Sequence, residues 1–113
     1  MRVNPTILQR YLQDPPARRM GNLGSELLRL SKAVYRGDMR AVLEFMDLSL
    51  SYIEEGGKDF PEDAAEQLAN LQRILLAQKY LLKDTLQDFS RRLQFSRELE
   101  LYAEFTVRLI QEC

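Results

Sequence analysis

The hydrophobic and polar positions of this chain follow a helical pattern, which is strongest in the second half. No glycine or proline occurs from Glu62 to Cys113. A straight helix over that segment would extend about 75–80 Å, at about 1.5 Å per residue. A compact domain of this length has a radius of gyration of only about 13 Å. We therefore expect the segment to fold back on itself, to project from the domain or to pack along a second copy of the chain.

The apolar stripe of this segment changes face after Leu93. The first stripe keeps helical spacing and consists of Leu68, Leu71, Leu75, Leu82, Leu86, Phe89 and Leu93. The second stripe lies roughly on the opposite side of the helical wheel and consists of Phe95, Leu99, Tyr102, Phe105 and Leu109. Residues of one helix face pack against the same neighbour, so a change of face requires a break in the helix or a second partner.

Two structures fit this change of face. In the first, the helix breaks between residues 83 and 96, and its last part turns back to close a four-helix bundle. In the second, one long helix buries its C-terminal half against a second copy, which gives a dimer with exchanged arms. We favour a homodimer in both cases. The predicted interface is the second stripe, namely Phe95, Leu99, Tyr102, Phe105 and Leu109.

The N-terminal residues 1–16 predict a short helix. Asn4 is a favourable helix cap, and Pro5 fits the first helical turn, where its missing N–H is not needed. Pro15 and Pro16 end this helix because proline cannot continue the hydrogen-bond ladder. A helix of about two turns is not stable alone, so it must dock on the rest of the domain or on a partner.

Residues 17–24 predict an irregular segment, because they contain two glycines. Arg18 and Arg19 lie just ahead of the next expected helix start, where free N–H groups and positive charge favour an anion. The more ordinary interpretation is a connector with solvated arginines.

The middle of the chain predicts a helical hairpin over residues 22–55. Gly37 suits the left-handed position that ends a helix, and Asp38 suits the cap that starts the next one. After a polar loop, Asp59 and Glu62 have the spacing of a capping box, which predicts a helix from residue 61 onward. The sequence thus predicts a single all-α domain over residues 1–113. Its expected architecture is an up-down four-helix-type bundle with a short extra N-terminal helix and a long C-terminal helical run.

Composition narrows the possible functions. The chain has 16 basic and 17 acidic side chains, so its net charge of −1 gives no overall attraction to nucleic acid or to anionic lipid. It has no histidine, the commonest general base and a frequent metal ligand. Cys113 is the only cysteine, and no apolar run has the length of a bilayer span. We expect a cytoplasmic protein without a cofactor or a membrane segment.

The favoured function is therefore a non-catalytic helical module for protein–protein interaction, assembly or regulation. We expect this module to be a homodimer. An alternative is a nucleic-acid-associated regulator that uses Arg18, Arg19, Arg91, Arg92 and Arg97. A weaker alternative is a magnesium-dependent all-α nucleotide hydrolase, since acids recur at helical spacing. The pairs are Glu44 with Asp47, Glu62 with Glu66, and Asp84 with Asp88.

Overall fold

The computed structural model describes the backbone of residues 4–112, except that the side chains at 11, 16, 17, 58 and 110–112 lie outside the description. Within that range the chain forms α1 (Pro5–Gln13), α2 (Pro16–Arg36), α3 (Met39–Gly56), a 3₁₀ turn (Gly57–Asp59), α4 (Glu62–Gln87) and α5 (Phe89–Glu112). Helices α2 to α5 form an up-down bundle in which α2 contacts α3 and α5, and α4 contacts the same two helices. Helix α1 packs against α3 and α2. The predicted all-α bundle with a short extra N-terminal helix is confirmed.

Helix α1 begins as its sequence predicts. Asn4 Oδ1 accepts a hydrogen bond from the Thr6 backbone N–H at 2.9 Å, which satisfies one of the free donors of the first turn. Leu8 and Leu12 pack against the core of the bundle, whereas Ile7 stays exposed. The helix is therefore held by its apolar face on α2 and α3, as expected for an element too short to be stable alone.

The prediction of an irregular segment over residues 17–24 is wrong, because these residues form the first two turns of α2. Pro16 occupies the first position of the helix, where it is well tolerated, and the Arg19 N–H donates to Pro15 O at 3.0 Å. Gly24 is buried against α5: a Cβ on it would lie 2.8 Å from Thr106 Oγ1. At Gly24, packing against α5 thus outweighs the low helix propensity of glycine.

The corner between α2 and α3 confirms the predicted turn. Gly37 has a φ of 72°, and its N–H donates to the carbonyls of Ala33 and Val34. Asp38 Oδ1 then accepts from the Ala41 N–H at 3.2 Å and caps α3.

The predicted capping box at the start of α4 is wrong. Pro61 occupies the cap position of α4, and Asp59 lies in the preceding 3₁₀ turn. Asp59 Oδ2 instead accepts a hydrogen bond from Arg19 Nη1 at 2.5 Å. The carboxylate is therefore used to hold the start of α2 against the end of α3, which is a tertiary contact that local spacing does not reveal.

The long C-terminal run is two helices, and the break between them falls at Asp88. This residue has an extended backbone (φ −104°, ψ 113°), and its Oδ1 accepts from the N–H groups of Ser90 at 2.9 Å and Arg91 at 3.3 Å. Asp88 is thus the cap of α5, and the break lies within the predicted interval of residues 83–96. Phe89, which the sequence pattern assigns to the first stripe, is exposed at this corner, with the Arg92 guanidinium 5.5 Å from its ring centroid.

Helix α5 returns along α2 in close contact. Ser31 Oγ lies 2.7 Å from Ser96 O and 2.9 Å from Ser96 Oγ, and Ser96 Oγ donates to Ser31 O at 2.9 Å. Further along the seam, Gly24 faces Thr106 and Ala103. Small side chains at these positions allow a short distance between the helices, and the serine hydroxyls satisfy each other's buried polar groups. Among the described residues, no helix is both long and apolar enough to cross a membrane.

Candidate interaction surface

The residues of the second apolar stripe lie mostly inside the bundle. Phe95, Leu99 and Leu109 are buried within the single chain, and Tyr102 and Phe105 are half-buried against the same core. Once the chain turns at Asp88, the stripe faces α2 and α4 and no longer lacks an intrachain partner. The structure therefore has the first of the two expected arrangements, in which the chain turns back. The predicted interface residues Phe95, Leu99 and Leu109 are covered within one copy and are not available to a second one. Part of Tyr102 and part of Phe105 remain accessible.

That accessible part belongs to a groove along the seam between α4 and α5. Its section near the α4–α5 corner has a volume of about 360 Å³ and is lined by Gln78, Leu81, Thr85, Arg91, Gln94, Phe95 and Glu98. Its second section has a volume of about 260 Å³ and is lined by Gln67, Asn70, Leu71, Ile74, Tyr102 and Phe105. We call these two sections together the α4/α5 groove. From residue 67 to residue 85 of α4 it extends about 27 Å, at about 1.5 Å per residue.

The walls of the α4/α5 groove combine exposed apolar side chains with uncharged amides. Ile74 is 39% exposed and Leu81 is 53% exposed, and each points from α4 toward solvent beside the seam. Four amides line the groove, namely Gln67, Asn70, Gln78 and Gln94. Apolar groups rimmed by polar residues are typical of protein interaction sites.

Of the residues described, two charged side chains line the groove, the exposed Arg91 and the half-buried Glu98. Arg91 Nε lies 3.8 Å from Asp88 Oδ2, and both side chains are at least half exposed. Glu98 Oε1 accepts a hydrogen bond from Gln94 Nε2 at 3.2 Å. Burial raises the pKa of Tyr102 above its usual value of 10.0, and the Glu98 carboxylate raises this pKa further. The Tyr102 hydroxyl is therefore neutral at physiological pH and can donate or accept a hydrogen bond.

The seam between α2 and α5 carries a second surface of similar size. One section of about 350 Å³ has Gly21, Gly24 and Ala103 as part of its lining, with Leu28 and Val107 at its edges. A section of about 300 Å³ continues it toward the α2–α3 corner and is lined by Ser31, Lys32, Tyr35, Arg36, Ser96 and Glu100. We call this the α2/α5 groove. Hydrogen bonds between Ser31 and Ser96 join α2 to α5 beneath this groove. The α4–α5 seam differs: among the described residues, a hydrogen bond bridges it only at the corner, from Arg92 Nη1 to Leu86 O.

The five arginines of the nucleic-acid hypothesis do not form one patch. Arg19 is buried in the first turn of α2, where it donates to Asp14 O at 2.8 Å and to Asp59. Arg92 lies beside Gly37, at the other end of α2, about 30 Å away for a helix of this length. Arg18, Arg91 and Arg97 are exposed. The fold thus places Arg18 and Arg19 far from Arg91 and Arg92, and it uses Arg19 and Arg92 in contacts within the chain. This burial of Arg19 also leaves no exposed anion loop at residues 17–24.

The acids of the magnesium hypothesis serve other contacts in part. Asp47 Oδ1 accepts from Lys79 Nζ at 2.7 Å, which joins α3 to α4, and Asp88 caps α5. Within the described part of the chain, no group of three or more acidic or cysteine side chains lies close enough to hold a metal ion. Cys113 lies outside the described residues.

Sequence reasoning missed Ile74 and Leu81 as surface residues. Both are apolar, lie outside the first stripe and are separated by two helical turns, so they share one side of α4. That spacing was an available signal for a second face on α4. Its partner on α5 could not be identified without the position of the break at Asp88.

Comparison of the chain with protein-family models, with curated proteins and with solved structures found no match.

Proposed function

We propose that this protein is a non-catalytic helical interaction and assembly module that acts as a homodimer, with the α4/α5 groove as its binding surface. The observation that supports the proposal is the row of accessible apolar groups along this groove, Ile74 and Leu81 on α4 and Tyr102 and Phe105 on α5. Removing such groups from water is the main favourable contribution to protein association.

The two groups on α4 lie outside the core of the bundle. Leu68, Leu71 and Leu75 fill the inner face of α4, whereas Ile74 and Leu81 lie outside it. Exposed apolar groups that add little to folding are consistent with a role in binding. The absence of histidine from the composition supports the non-catalytic part of the proposal, because it removes the commonest general base.

The test is the solution mass, measured by light scattering behind a sizing column. Reductant is present because Cys113 could cross-link two copies. We expect a dimer for the wild type and a monomer for the double variant Ile74→Gln, Leu81→Gln. Each substitution keeps a long helix-compatible side chain and replaces exposed apolar atoms, so the monomer should remain folded by circular dichroism.

The matched control is Leu28→Gln, Val107→Gln in the α2/α5 groove. Leu28 is 44% exposed and Val107 is 46% exposed, close to the values of 39% and 53% for Ile74 and Leu81. The control therefore removes a similar apolar area from a different face. Loss of the dimer in the control and not in the first variant would contradict the α4/α5 groove as the binding surface. A wild-type monomer at every concentration would contradict the homodimer.

A further inference from the structure

The section of the α4/α5 groove near the corner carries one positive and one negative side chain on the same helix. Arg91 and Glu98 both line it, and they lie seven residues apart on α5, which is two helical turns or about 10 Å. The uncharged Gln94 lies between them, and the exposed Leu81 of α4 lies across the seam in the same section. This arrangement has the charge order plus, neutral, minus along a single groove.

We propose, building on the homodimer of the proposed function, that a second copy docks on this section about a two-fold axis at the level of Leu81 and Gln94. The axis lies across the helices, so α5 runs antiparallel to α5 of the other copy. A two-fold axis makes an interface self-complementary, because a contact from one residue to another is repeated in reverse. Arg91 of each copy then lies opposite Glu98 of the other copy, and the Leu81 side chains of the two copies contact each other.

The charges select this position of the axis over its neighbours along α5. An axis at Glu98 would bring two carboxylates together, and an axis at Arg91 would bring two guanidinium groups together. Like charges across an interface are unfavourable. An axis midway between the two residues brings opposite charges together twice and places Gln94 and Leu81 at the centre, where no charge has to leave water.

The present partners of the two charges do not prevent this exchange. Arg91 is paired with Asp88 at 3.8 Å on the surface, and Glu98 accepts one exposed hydrogen bond from Gln94. Exposed pairs of this kind contribute little to stability, so either group can turn toward a partner. The same pairing also explains why a second copy suits the groove: a partner must present an acid and a base in the matching order, and a second copy does so by symmetry.

The experiment uses reversed charges. In Arg91→Glu or in Glu98→Arg, each homodimer would contain two pairs of like charge, and we expect about tenfold or more weaker dimerisation for each variant. An equimolar mixture should recover the dimer. In the mixed dimer, the carboxylate introduced at position 91 meets the guanidinium introduced at position 98, and the native Glu98 of one copy meets the native Arg91 of the other.

The double variant Arg91→Glu, Glu98→Arg should also recover dimerisation, because both pairs are restored with exchanged signs. Arg97→Glu is the matched control, since this exposed arginine on α5 does not line the groove and should leave the dimer unchanged. Circular dichroism confirms that each single variant is folded, and light scattering over a concentration series gives the dissociation constant.

The outcomes separate this pairing from the proposed function. A dimer that the single reversals do not weaken would overturn the two-fold pairing and leave the homodimer in place through another contact. Single variants that dissociate without recovery in the mixture would also overturn the pairing, because the two residues would not face each other. A wild-type monomer would overturn both, and would leave the groove to a different partner.

Discussion

Glu26 is the residue whose position in the bundle most conflicts with its chemistry. It is only 7% exposed on α2, and its Oε2 atom is buried without a hydrogen-bond partner. Its Oε1 accepts a short hydrogen bond from Arg29, one turn further along the helix. Burial raises the pKa of Glu26 above its usual value of 4.5, and the charge and hydrogen bond of Arg29 lower it only in part. The folded chain therefore holds the proton of Glu26 more tightly than the unfolded chain does.

This pKa gives a dependence of stability on pH. Below about pH 4.5, Glu26 is protonated in both the folded and the unfolded chain and has no charge to bury. Above that pH, the unfolded chain releases the proton of Glu26 while the folded chain still holds it. The folded chain therefore loses stability as the pH rises through its raised pKa. We expect Glu26→Gln to raise Tm at pH 7, since the amide stays neutral, and we expect this gain to vanish below about pH 4.5.

Thermal unfolding of both proteins between pH 4 and pH 8 would measure this difference, with Glu44→Gln on the exposed side of α3 as the control. A gain that is constant over this pH range would mean that ionisation of Glu26 is not its cause. A constant loss would mean that the contact with Arg29 outweighs the burial of charge.

Gly21 and Gly24 of α2 have different surroundings. Both lie inside α2, but a Cβ at Gly21 would meet nothing within 4 Å, whereas a Cβ at Gly24 would lie 2.8 Å from Thr106 Oγ1 and 3.4 Å from Ala103 O. Thr106 is fully buried and its hydroxyl donates to Ala103 O at 2.7 Å, so it cannot move easily. We expect Gly21→Ala to stabilise the fold by about 0.5–1 kcal/mol and Gly24→Ala to destabilise it by about 1–3 kcal/mol. Urea unfolding of the two variants gives both signs, and equal effects would contradict the close approach of α5.

At the scale of elements, the corner between α4 and α5 can be tested by substitution of Asp88. Asp88 is the helix cap that receives the first N–H groups of α5, and it separates two helices of 26 and 24 residues. We expect Asp88→Ala to lower the free energy of unfolding by about 1 kcal/mol, because those N–H groups lose their acceptor. Asp88→Asn should retain most of the stability, since the amide oxygen can accept the same bonds. If Asn and Ala were equally destabilising in urea unfolding, the charge of Asp88 and not its cap would be responsible.

The same scale shows which elements sequence reasoning can predict. The caps Asn4 and Asp38 act on N–H groups within three residues, so local spacing was sufficient to predict them. Asp59 and Glu62 have the spacing of a capping box, but the Asp59 carboxylate pairs with Arg19, forty residues earlier in the chain. Gly24 likewise reads as a loop residue until α5 is known to pack against it. Local signals were reliable where the partner was local, and they failed where a distant element supplied it.

At the scale of the whole molecule, the surface was predicted only in part. The periodicity of the C-terminal run indicated two apolar faces, and it allowed a break between residues 83 and 96 without locating it. The helical wheel could not tell that Phe95 and Leu99 face α2 and α4, because that depends on the direction in which α5 returns after Asp88. Tyr102 and Phe105 were candidates from the start, and they remain on the surface at the edge of the core.

The proposed homodimer also predicts how the stability of the whole molecule depends on concentration. If two folded copies bind each other and unfolded chains do not, each tenfold rise in protein concentration adds about 1.4 kcal/mol per mole of dimer to the free energy of unfolding. Tm of the wild type should therefore rise with concentration, whereas Tm of Arg91→Glu should begin to rise only at about tenfold higher concentration. The measurement is a set of thermal melts over a hundredfold range of concentration. Over this range the free energy of unfolding should increase by about 3 kcal/mol per mole of dimer. A wild-type Tm that does not change over this range would contradict coupled folding and dimerisation. Arg91→Glu is the comparison, since that substitution weakens the pairing about tenfold or more and leaves the fold of the monomer intact.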